Sequence, residues 1–107
     1  MKKKTIMLVL KYASLNGQLK RKDYRVLLYL MPKLARLDEG EFARINQAKI
    51  ADDLEIAKTD VSRSIKKLIE AKIIEPQNKE KGWKLDIRLH PYEYDEIENI
   101  LFGDDDE

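Results

Sequence analysis

The sequence predicts a mainly α-helical domain carrying a small β-sheet, an α+β fold. Between Ile45 and Ile74, INQAKIADDLEIAKTDVSRSIKKLIEAKII, the apolar residues fall into two short helical patterns separated by a tight turn. Ile50, Ala51 and Leu54 mark the first pattern, and Val61, Ile65, Leu68 and Ile69 the second, at the three- and four-residue spacing of a helix face. By contrast, Trp83–Leu89 alternates apolar and polar residues, the period of a half-buried strand. A chain of 107 residues without cysteine can bury roughly two-thirds of its unfolded surface, so its core needs no disulfide.

Residues 5–13 are apolar nearly throughout, which fits a strand or the start of a buried helix alike, because periodicity cannot separate the two. Asn16-Gly17 signals a turn. From about Lys20 to Leu37 the residues Val26, Leu27, Leu30, Leu34 and Leu37 follow a helical period, with Pro32 expected to bend or interrupt it. Asp38-Glu39-Gly40-Glu41 is a polar turn, and Phe42–Ile45 reads as a short strand. Asn46 suits an N-cap, since its side chain can accept a bond from a free backbone N–H. The capped helix then spans about Gln47–Leu54. Ala51 is small where two helices cross, Ile56 plugs the turn, and a second helix runs about Lys58–Ala71. Ile73–Gln77 and Trp83–Leu89 flank Asn78–Gly82, a pattern that predicts a β-hairpin with lysines at its tip. Pro91 ends the hairpin, and Tyr92–Phe102 is a final helix with Ile97, Ile100 and Leu101 on one face and Gly103 at its C-cap.

The second helix of the pair leaves Lys58, Thr59, Ser62, Arg63 and Lys66 on its outer face. A helix, a turn and a second helix with a polar, basic outer face is the arrangement by which a helix-turn-helix enters the major groove of DNA. With the basic hairpin behind it, the pattern is a winged helix-turn-helix. Arg63 is suited to a guanine edge, since its planar fork matches O6 and N7 together. Thr59 and Ser62 can bond a base or a phosphate, while Lys58, Lys66 and Lys67 suit phosphates, which fix register without reading sequence. Lys79, Lys81 and Lys84, in or beside the wing, suit phosphates or the adjacent minor groove. Trp83 is expected to anchor the hairpin on the core. Asp60, near the start of the second helix, is expected to pair with a neighbouring base.

The segment from about Lys20 to Leu89 resembles winged-helix DNA-binding proteins of the broad MarR-like group, and within it small plasmid and phage replication initiators. The resemblance is carried by YRVLLYLMPKL, by INQAKIADDLEIAKTDVSRSIKKLIEAKII, and above all by VSRSIKKL, whose Ser-Arg pair recurs in the recognition helices of these families. It implies double-stranded DNA as partner, with a role in transcription regulation or in DNA replication. Two positions depart from the family pattern. Glu55 stands where the turn often has Gly, so its backbone must avoid positive φ or accept strain. Ala57 replaces the usual Ser or Thr at the start of the recognition helix and cannot cap it.

The formal charge of +1 hides an asymmetry. Residues 1–91 hold all 21 Lys and Arg and 12 of the 20 Asp and Glu, a balance of +9, whereas residues 92–107 hold the other eight acids and no base. The expected organisation is therefore a basic winged helix-turn-helix over 1–91 and a C-terminal helix with an acidic tail over 92–107. Tyr92, Tyr94, Ile97, Ile100, Leu101 and Phe102 must bury a stripe, either on their own domain or, together with Ile6–Leu10, in a homodimer. The apolar run Ile6–Leu10 is too short for a membrane span or a secretory core, so a soluble, cytoplasmic protein is expected. There is no phosphate-binding glycine loop, no HExxH and only one histidine, His90, so no enzyme activity, metal or cofactor is expected. The adjacent acids Asp52 and Asp53 point different ways on a helix and cannot chelate as a pair. The rival reading is a winged-helix protein-interaction module in which the acidic end from Tyr92 to Glu107 masks the basic face or binds a basic partner.

Overall fold

The computed structural model describes residues 3–77, 85–91 and 94–102. The chain order is α1 (Lys3–Ser14), α2 (Arg21–Leu34), β1 (Ala43–Ile45), α3 (Gln47–Leu54), α4 (Lys58–Glu70), β2 (Ile74–Pro76), β3 (Leu85–Leu89) and α5 (Tyr94–Phe102). The three strands form an antiparallel sheet in the order β1-β3-β2, with Ala43 opposite Ile87 and Ile74 opposite Leu89. This is the α+β arrangement of a winged helix, with helix, short strand, helix-turn-helix and two paired strands in succession. The tip of the expected hairpin, including Lys79, Lys81, Trp83 and Lys84, lies outside the described residues, as do Tyr92 and the expected C-cap Gly103.

The ambiguous segment 5–13 is helical. Val9 and Ala13 are buried, with Ile6, Leu8, Leu10 and Tyr12 packed around them. Its exposed positions Met7, Lys11 and Ser14 lie along one face, and its buried face packs on the core while α5 lies against it. Two tyrosines fix it there. Tyr12 Oη donates to Ala71 O at 3.1 Å, and Tyr24 Oη to Ala13 O at 2.9 Å.

α2 is the central helix, and Val26, Leu27, Leu30 and Leu34 are buried on the face it turns to α4 and the sheet. It ends at Leu34 rather than Leu37, two residues after Pro32. The ladder tightens instead into three-residue bonds, Arg36 N–H to Lys33 O and Leu37 N–H to Leu34 O, both 3.3 Å. Gly40, at φ 84, completes the polar turn, a conformation that glycine adopts without a Cβ clash. The strand begins at Ala43, one residue later than expected, because Phe42 lies off the ladder with the Arg88 guanidinium 4.6 Å over its ring.

The predicted span Gln47–Leu54 is the observed α3. Asn46 caps it, its Oδ1 accepting from Lys49 N at 3.1 Å. α3 ends with Glu55 in the left-handed region, φ 56 and ψ 46, and the Ile56 N–H reaches back to Ala51 O at 3.0 Å. α4 ends the same way one residue before Ala71, with Lys72 at φ 59 and Ile73 N–H bonded to Leu68 O at 3.0 Å. Both are the bond pattern that glycine usually completes at a helix end. α4 buries Val61, Ser64, Ile65 and Leu68, which seats it against α2 and α3.

Candidate nucleic-acid interface

Burying those four residues of α4 determines what faces outward. Lys58, Thr59, Ser62, Arg63 and Lys66 are all exposed, so the structure brings together five of the nine expected contact residues on one helix face. Lys67 is half-buried, and its Nζ lies 3.5 Å from Asp23 Oδ2. That contact makes it a brace between α4 and α2 as well as a surface cation. Ser62 is also engaged, its Oγ donating to Gln47 Oε1 at 2.5 Å, so the start of α3 and the middle of α4 are tied together. The three wing lysines lie outside the described residues.

Asp60 is paired as expected, with Lys22 Nζ 2.8 Å from its Oδ2. The Lys22 hydrogen bond, opposed by some burial and aided by the charges of Lys22 and Arg63, holds its carboxyl below the usual range. The one acid in the first turn of α4 is thereby neutralised beside the face that would meet phosphates. Its partner comes from a basic run outside the nine residues expected from the sequence. Lys20, Arg21 and Lys22 at the start of α2 share a groove with Arg63, Lys66 and Lys67. The run was visible in the sequence; its position beside α4 was not, since Lys22 and Asp60 stand 38 residues apart.

Behind this surface lies the buried Asp23, only 3% exposed. It accepts from Ser64 Oγ at 2.6 Å and from Lys20 N at 2.8 Å. Burial pushes its carboxyl upward, but the Ser64 and Lys20 bonds and the Lys67 charge together outweigh it, and the net shift is downward. A buried carboxylate satisfied in this way holds α4 in register with α2. On the other flank, Arg25 donates to Leu54 O at 2.7 Å, capping the end of α3. Tyr29 bonds Asp53, which also lies 3.5 Å from Lys49 Nζ. The Tyr29 hydroxyl pulls the Asp53 carboxyl down, and the Tyr29 hydroxyl is in turn pushed up. Asp53 is thus occupied apart from Asp52. Among the described residues no cluster of His and acids is suited to a metal ion, and no helix is long and apolar enough to cross a membrane.

No protein-family model matches the chain, and no curated protein matches it. Among solved structures it is similar to the DNA-binding TubR fragment from Clostridium botulinum, with 18% sequence identity over 77% of this chain and 96% of that one, at a TM-score of 0.49.

Proposed function

We propose that the protein binds double-stranded DNA sequence-specifically, with α4 in the major groove and the wing lysines Lys79, Lys81 and Lys84 on phosphates or the adjacent minor groove. The observation that carries this reading is the exposed face of α4, where Lys58, Thr59, Ser62, Arg63 and Lys66 stand together and the acid of the first turn, Asp60, is paired with Lys22. The buried Asp23–Ser64 hydrogen bond behind the face holds α4 on α2, and the exposed Ser62–Gln47 bond ties it to α3, a fixed placement of the kind base readout requires. The role is that of a cytoplasmic transcription regulator or of a plasmid or phage replication protein in the MarR-like group. The number and spacing of bound sites distinguish the two, one operator against repeated origin sites.

Homodimerisation belongs to the same reading. α5 folds back on α1 and buries Val9 and Ile97, yet Met7, Leu15 and Phe102 remain 68%, 66% and 43% exposed at this end of the molecule. A two-fold contact there would present two recognition helices to two half-sites, and sedimentation equilibrium tests it.

Random-site selection at low salt tests the main proposal. A single enriched sequence is expected, and Arg63→Ala should lower discrimination at one base pair by about 1–3 kcal/mol. A folded protein that enriches nothing would instead be the interaction module of the rival reading.

A further inference from the structure

A second concave surface shares no lining residue with the Lys22 groove. It is a cleft of about 960 Å³ bounded by the C-terminal half of α2, by β1 and by the start of α3. Lys33, Arg36, Arg44, Lys49 and Lys58 line it, and none of its described lining residues is acidic. The floor is apolar, formed by residues such as Leu30, Ile45 and Ile50. Lys58 is the first residue of α4, so the cleft opens at the recognition helix itself.

The distribution of these charges decides what the cleft suits. All five cations are exposed. Arg44 and Lys49 lean on Asp86 and Asp53 at 3.2 and 3.5 Å, and Lys33 Nζ donates to Arg44 O at 3.1 Å, so the heads are spread along the rim. A small anion would meet solvent-screened charges, each worth little. An extended polyanion gains from every such charge, because each phosphate neutralised releases condensed counterions. We infer that the cleft rim is a ledge for the phosphodiester backbone, on which Lys33 and Arg36 hold the DNA strand beyond the groove occupied by α4. This rests on the DNA-binding reading and extends the contact surface to α2 and β1, which the recognition helix and wing do not include.

The test is the salt dependence of binding by Lys33→Gln/Arg36→Gln, two exposed substitutions whose folding is checked by circular dichroism. The probe is the duplex enriched by the wild-type protein, titrated between about 50 and 200 mM salt. The slope of log affinity against log salt should fall by roughly 2, shrinking the affinity loss over that range about tenfold, and the selected sequence should stay the same. An unchanged slope overturns the ledge, and so does a changed sequence preference, which would place these side chains on bases. Arg63→Ala serves as the reference. If it alters discrimination while the double variant leaves the slope unchanged, the ledge fails and the DNA-binding reading stands. If the wild-type protein binds no duplex, both fail together.

Discussion

Glu55 and Lys72 each close a helix in the left-handed region, where a side chain with a Cβ is disfavoured by about 1–2 kcal/mol. Glu55 is legible in the sequence because it stands in a recognisable turn between two helical periods; nothing in the residues around Lys72 marks that position as the second such turn. Glu55→Gly removes the clash but raises the entropy of the unfolded chain by roughly 0.5–1 kcal/mol. A net gain of about 0.5–1 kcal/mol is expected, read as a higher urea midpoint. Asp23 is the opposite kind of residue, a buried charge whose partners are all supplied by the fold. Asp23→Ala leaves Ser64 and the Lys20 N–H without their acceptor and should destabilise by about 1–3 kcal/mol. Because its folded pKa is lowered from 3.8, its contribution is fully present above that value and is lost as pH falls through the folded pKa. Acid unfolding of the wild type should therefore be steeper below about pH 4 than that of Asp23→Ala. Equal acid limbs in the two proteins would remove the carboxylate from this role.

At the scale of elements, the capped helix was the most legible. Asn46, followed by a clear apolar period, located α3 to the residue, because a cap and a periodic face are both local signals. Boundaries without such a signal moved. α2 stops three residues short of Leu37 because Pro32 lets the last turn tighten, and α4 stops at Glu70 because Lys72 turns left-handed. Periodicity does not separate the N-terminal helix from a strand, since its solvent-facing positions include the apolar Met7, 68% exposed, which blurs the polar face that would mark a helical period. α4 itself begins at Lys58, and Ala57 at its N-cap position makes no side-chain cap. Ala57→Ser should stabilise the protein by about 0.5–2 kcal/mol, raising its thermal midpoint without altering the sequence enriched in the random-site selection that tests the proposed DNA binding. A shifted selection would mean that the start of α4 moves with its cap.

At the scale of the whole molecule, charge is distributed so that one protein carries opposed ends. The acids of residues 92–107 balance a basic body, and the described part of that acidic end, α5, packs on α1, the helix that Tyr12 ties to the end of α4 and Tyr24 to α2. Removing residues 103–107 deletes four acids, Asp104, Asp105, Asp106 and Glu107, and moves the formal charge from +1 to +5. Affinity for any duplex should rise at low salt, and the gain should fade as the screening length shortens from about 10 Å at 0.1 M to about 3 Å at 1 M. A gain that persists at high salt would require a direct contact by the tail rather than its field.

The sequence by itself determined the fold class, the helix-turn-helix and the outward set Lys58, Thr59, Ser62, Arg63 and Lys66, because all three follow from periodicity within one stretch of chain. It also indicated that Asp60 needs a cation. Only the tertiary structure decided that the cation is Lys22, that Asp23 and Ser64 lock α2 to α4, and that Ser62 bonds Gln47. It alone gathered Lys33, Arg36, Arg44 and Lys49 around one cleft. Those partners stand apart in sequence and meet through the packing of α2, β1, α3 and α4. A helical period states which face of an element is buried, but carries no information about which other element it is buried against.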